Sequence, residues 1–279
     1  MDTSTVWTDL MKLTQLSSYD IQGFTDHIPF SFFEWMKTSA LRSIPRIDRS
    51  QRQLAPLFLD VLPVMPHLQS LNYKWFFGEP EKEVLWLIDL VQKCTQITEL
   101  DLEISHRQIS LFVPVLAGLT NLVTLRLESD LMWTMPPLFF TLNFPQLKFL
   151  RNILIASADV SAFGTWLDRH AGLEELRLTL ESQEDLYQSQ LFDKCTALIS
   201  LDIRLLVKPL PSFCLTDLPP TLRKLMWRPS PGPNFLPNEH QLTHFGFDEF
   251  DNNIRRHRSL VDLHTDWLDQ FWVVEMSSW

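Results

Sequence analysis

The sequence predicts an α/β solenoid, in which short parallel strands stack into one concave sheet and helical to irregular segments form the convex side. Three observations carry this expectation. A short apolar pattern, L-x-x-L-x-L, returns along the whole chain of 279 residues. Its copies are so evenly spaced that each reads as one structural unit. The segments between copies show helical periodicity early in the chain and become rich in proline later.

The clearest copies are Ile97-Leu100-Leu102, Leu122-Leu125-Leu127, Leu173-Leu176-Leu178 and Leu198-Leu201-Ile203. Looser ones begin at Leu68, Leu147, Leu222, Leu242 and Leu260, and degenerate ones at Leu13 and Leu41. With the second apolar position as anchor, the series runs Leu16, Ile44, Leu71, Leu100, Leu125, Leu150, Leu176, Leu201, Leu225, Phe245 and Leu263. The steps are 28, 27, 29, 25, 25, 26, 25, 24, 20 and 18 residues. Leucine-rich repeats step by about 20–29 residues, with one strand and one helix or 3₁₀ turn per unit. A strand alternates faces, so the apolar positions point inward and the residues between them point out. One repeat cannot bury its apolar side, but a stack can. The spacing therefore predicts a leucine-rich-repeat horseshoe of about ten to eleven parallel strands. It is expected to be a single domain over 1–279, with an N-terminal cap or degenerate repeat (1–37), repeats (38–264) and a C-terminal cap (265–279).

The connecting segments follow. Glu81 to Lys93 places Val84, Leu87, Ile88 and Val91 on one helical face. Ser161 to His170 opens on a capping residue and stops before Gly172, and Gln183 to Lys194 is a third helical candidate. KPLPSFCLTDLPPT and RPSPGPNFLPN, on either side of Leu225, hold too much proline for α-helix.

Lys93-Cys94-Thr95-Gln96-Ile97-Thr98-Glu99-Leu100-Asp101-Leu102 is similar to Lys194-Cys195-Thr196-Ala197-Leu198-Ile199-Ser200-Leu201-Asp202-Ile203. Both resemble the C-x-x-L-x-x-L-x-L units of the cysteine-containing leucine-rich repeats of F-box-type proteins. The resemblance covers roughly residues 40–265 as a repeat pattern, with the cysteine signature in two units. It implies a protein-interaction scaffold, and as an alternative the substrate-recognition subunit of a ubiquitin ligase. No convincing F-box precedes the repeats.

Composition narrows the partners. Lys and Arg total 24 against 34 Asp and Glu, a net charge of −10. Nucleic-acid backbones and anionic membrane surfaces are recognised by clustered cations, so neither is an expected partner. Three scattered cysteines and no Asn-x-Ser/Thr sequon point to an intracellular protein, cytoplasmic or nuclear. No catalytic motif of the HExxH, G-x-S-x-G or P-loop kind occurs, so no enzyme and no cofactor is expected, and a hydrolase has no motif behind it. His240, His244 and Asp248 have a ligand-like spacing but straddle a proline-rich turn and a strand, so no metal is expected. Cys94 and Cys195 read as buried small residues.

The candidate site is the concave face. The outward column between the second and third apolar positions includes Asn72, Asp101, Arg126, Arg151, Arg177, Asp202 and Met226. Beside it run Glu99, Thr124, Phe149, Glu175, Ser200 and Lys224 on one side. On the other run Glu103, Glu128, Ile153, Thr179, Arg204 and Arg228. Three consecutive arginines bracketed by aspartates admit two readings. One is a self-neutralised lattice with Glu99, Glu128 and Glu175 as counter-ions. The other is an arginine ladder for an acidic protein or peptide, which the planar guanidinium fork suits. The partner-binding candidates are Arg126, Arg151, Arg177, Asp101, Asp202, Phe149, Arg204, Arg228 and Trp227. Trp86 and Trp166 fall on convex helices and read as packing, whereas Trp75, Trp133 and Trp227 lie near strand ends, where an interface can use them.

Overall fold

The computed structural model describes residues 3–13, 16, 18, 28–44, 55–74, 82–104, 106–128, 134–181, 191–192, 194–205, 219–229, 262–267 and 270–275. It divides into two compact units. The first is Met1–Leu131 with Phe144–Gln146, and the second is Met132–Asn143 with Leu147–Trp279.

In the first unit, α1 (Thr3–Met11), α2 (Phe30–Met36) and α3 (Ala55–Val61) precede an alternation of strand and helix. That alternation is β1 (Ser70–Lys74), α4 (Lys82–Lys93), β2 (Glu99–Glu103), α5 (His106–Leu116) and β3 (Thr124–Glu128). The strands are parallel and pair in sequence order, with Leu71, Leu100 and Leu125 in one register column. All three are fully buried, as are Ile97, Leu122 and Leu102 beside them. The helices close the other side of this core. α4 buries Leu87 and Val91 as expected, together with Leu90, while Ile88 stays half-buried. Tyr73 meets Trp86 edge to face at 5.7 Å, which makes Trp86 a packing residue. α5 was not singled out from the sequence, and it carries Pro114 inside it. That proline costs one backbone hydrogen bond, which the burial of Ile109, Phe112, Val113, Val115 and Leu116 offsets.

The second unit holds β4 (Phe149–Ile155), α6 (Val160–Arg169), β5 (Glu175–Leu180), β6 (Ser200–Leu205), β7 (Lys224–Pro229), β8 (Asp262–Trp267) and β9 (Gln270–Glu275). β4 to β8 are parallel neighbours. Leu150, Leu176, Leu201, Leu225 and Leu263 share one register column. β9 runs antiparallel to β8, a departure from the all-parallel expectation. On the far side of the core, Phe139, Phe163 and Trp166 pack ring against ring, with Trp166 fully buried. α6 begins at Val160 rather than Ser161 and has no side-chain cap.

One backbone device recurs in both units. At six anchors the carbonyl two residues before accepts the N–H groups of two successive residues on the next rung. Gln69 receives Thr98 and Glu99, Thr98 receives Val123 and Thr124, and Glu174 receives Ile199 and Ser200. Arg42 does the same for Gln69 and Ser70, so the Ile44 unit is a true rung although only a single bridge, Ser43 to Ser70, marks it. Leu16 is not one. Leu13 is half-exposed in a turn after α1, and the Leu16 N–H bonds the Leu13 carbonyl instead of a neighbouring strand. The Phe245 unit lies outside the described residues, and β7 pairs directly with β8. Most of the Gln183 to Lys194 candidate lies outside the described residues, and its described members Leu191, Phe192 and Lys194 are turn.

A buried turn precedes six of the strands, of which only the Cys94 and Cys195 copies were read from the sequence. The N–H of the first apolar residue bonds the carbonyl three residues earlier, from Leu68 to Met65, Ile97 to Cys94, Leu122 to Leu119, Leu173 to His170, Leu198 to Cys195 and Leu222 to Pro219. Each of those earlier residues is buried. Cys94 and Cys195 therefore fill a general repeat position, one that His170 occupies on α6's trailing turn.

Candidate outward-face site

Residues on the alternate positions of each strand lie on the sheet face away from the core. In the first unit, Asp101 on β2 is the hub. Asn72 Nδ2 donates to Asp101 Oδ2 at 3.2 Å, and Arg126 Nη1 lies 3.5 Å from the same oxygen. The three residues are register neighbours on β1, β2 and β3. Arg126 thus takes its counter-ion from its own column, not from the expected Glu99, which pairs in register with Thr124. The Glu128 side chain lies outside the described residues.

In the second unit the arrangement is denser. Arg151 makes a two-pronged pair with Glu175, Nε to Oε1 and Nη2 to Oε2, both at 2.9 Å. Its guanidinium carbon also sits 5.8 Å from the centre of the Phe149 ring, a cation–π distance. Arg177 Nε lies 3.0 Å from Asp202 Oδ2, and its Nη2 lies 3.9 Å from Glu175 Oε1. The chain Arg151–Glu175–Arg177–Asp202 therefore alternates in sign across β4, β5 and β6. The Asp202 side chain is only 7% exposed while Arg177 keeps 42%, so the network is rooted in the protein and its cationic end faces solvent.

A bulge shapes this site. Leu150 pairs with Leu176 but Ile153 pairs with Leu178, so Arg151 and Asn152 together face Arg177. Asn152 takes φ 62°, left-handed backbone that asparagine tolerates better than most residues. Bulges re-aim side chains, and here Arg151 reaches Glu175 in the next column. The bulge also turns Ile153 inward, where it is fully buried, so Ile153 does not belong to the outward face as expected. The signal was present in Leu147-Leu150-Asn152-Ile153, where the third apolar residue comes one position late.

Arg204 is exposed on β6, between Thr179 on β5 and Arg228 on β7 in register. Trp227 is in register with the fully buried Ile203, which is the core's column. Its backbone position thus sets it apart from the outward residues. The side chains of Trp227 and Arg228, all of Trp75 and Trp133, and the His240, His244 and Asp248 set lie outside the described residues. Among the described residues no cluster of three or more His, Cys, Asp or Glu could hold a metal, and no helix is long and apolar enough to cross a membrane. Burial pushes the thiols of both Cys94 and Cys195 up to about 12, with the nearby Asp168 adding to the shift at Cys195. Neither is a nucleophile in the folded protein.

No protein-family model and no curated protein matches this chain. Among solved structures it is similar to a chain in the crystal structure of the TLR13–ssRNA13 complex, with a TM-score of 0.42 and 14% identity. The match covers 86% of this chain and 39% of that one, so this chain spans well under half of that chain's length. At that level of similarity the likeness decides neither fold nor function, and the register columns and burial above carry the structural description.

Proposed function

We propose that the protein is a leucine-rich-repeat solenoid that recognises another protein through the outward, concave face of its parallel sheet. The observation that carries this reading is the alternating network Arg151–Glu175–Arg177–Asp202. It holds two guanidiniums in fixed positions on rigid strands while leaving each more than a third exposed. Preorganised, half-exposed arginines on a rigid surface suit recognition, because little side-chain entropy remains to be lost on binding. The lattice reading and the binding reading are compatible, since the carboxylates position the same guanidiniums that a partner would meet. The protein acts as a binder rather than an enzyme. A ubiquitin-ligase role rests only on the resemblance of the Cys94 and Cys195 units.

The test is affinity capture with wild type and an Arg151→Ala/Arg177→Ala double variant in parallel, after circular dichroism has shown both to be folded. Proteins recovered by the wild type and lost by the variant support the reading. Identical recovery by both overturns it.

A further inference from the structure

We infer that Thr179 and Arg204, with Arg177 beside them in the second unit, form the subsite that takes carboxylates from an acidic segment of the partner, an inference that rests on the protein-recognition reading. Three register columns cross the outward face there. The first, Phe149–Glu175–Ser200–Lys224–Asp262, carries carboxylates at two rungs. The second carries Arg177 beside Asp202, then Met226 and His264. The third, Leu154–Thr179–Arg204–Arg228, has no carboxylate at any rung. The corresponding column of the first unit, Lys74–Glu103–Glu128, has two.

Arg204 stands exposed on β6 beside Thr179 in the third column. The carboxylates Glu175 and Asp202 are already engaged by Arg151 and Arg177. Among the described residues no ion pair engages Arg204. Arg177 lies two residues before Thr179 on the same strand and face, and its exposed edge adds a second cation. A carboxylate over Thr179 would meet the Thr179 hydroxyl, Arg204 and Arg177. The chain as a whole carries a net charge of −10, so a local cationic row is a departure from its background and complements an acidic segment.

The probe is fluorescein-labelled decaglutamate, titrated by anisotropy against wild type, Arg204→Glu and Lys12→Glu at low and near-physiological salt. Lys12→Glu makes the same change of charge at an exposed position in the first unit. The expected result is saturable, salt-sensitive binding that Arg204→Glu weakens about tenfold or more and Lys12→Glu leaves within about twofold, as for a specific rather than a bulk charge effect. If Arg204→Glu fails to fold, Arg204→Gln replaces it, with about threefold weakening expected. Absence of binding to the wild type, equal weakening by both charge variants, or tighter binding of decauridylate than of decaglutamate would each overturn the subsite. A captured partner that is lost by Arg151→Ala/Arg177→Ala but retained by Arg204→Glu would sink this subsite and leave the recognition reading standing.

Discussion

His170 shows how a single repeat position can set a property of the molecule. It fills the buried turn position that cysteine fills in two other repeats, stacks on Trp166 at 3.8 Å, and places Nδ1 2.7 Å from the Trp166 carbonyl. A carbonyl only accepts, so the neutral ring donates from Nδ1. Burial holds its pKa below the ordinary 6.5, opposed by the Trp166 hydrogen bond and reinforced by neighbouring Arg169. Folding therefore disfavours the imidazolium, so its contribution is complete above about pH 6.5 and is lost as pH falls toward the lowered folded value. Thermal melts of wild type and His170→Phe between pH 5 and 8 should converge at the acid end. A constant difference across that range contradicts this account. The same turn position makes Cys94 and Cys195 inert. Neither should react with iodoacetamide at pH 8 until the protein is unfolded, as peptide mapping would show. On the outward face, Arg177→Ala removes a charged partner from the nearly buried Asp202 and should cost about 1–3 kcal/mol in denaturant unfolding, above the roughly 0.5 kcal/mol of an ordinary surface change.

At the scale of the element, sequence and structure agree where period alone decides. The strands at Leu71, Leu100, Leu125, Leu150, Leu176, Leu201, Leu225 and Leu263 were legible because the alternating apolar pattern fixes the register, with the first six leucines buried. α4 and α6 were legible from helical spacing. Elements whose local signals conflict were not. α5 carries an internal proline, and its helix is set by what Phe112 and Val113 bury rather than by propensity. The counter-ions were half legible. Glu175 was expected, but Asp101 and Asp202 were expected as bracketing anions or partner contacts, not as the groups holding Arg126 and Arg177. That assignment depends on which carboxylate shares a column, and at Arg151 the bulge shifts the column. Asn152→Gly should hold or slightly raise stability, because glycine adopts positive φ without cost. Asn152→Val should lower it by about 1–3 kcal/mol, the range for a strained backbone position.

At the scale of the whole molecule, the repeated rung is what stability rests on. Leu176 is fully buried between Leu150 and Leu201 in register, so Leu176→Ala should destabilise by about 2–5 kcal/mol. An unchanged melting temperature would contradict the stacked core. What the rungs leave over is the outward face, alternate residues that the core does not need, held to a fixed spacing by residues that it does. The helical side also presents exposed apolar side chains, among them Leu85 and Leu111, so the choice between the two faces is a real one. It can be decided by placing a photo-crosslinking phenylalanine analogue at Phe149, beside Arg151 on the outward face, and separately at Leu111 on α5, and exposing each to the captured partner. The account predicts crosslinks from position 149 and none from position 111. Crosslinks from 111 alone would put the partner on the helices and contradict it.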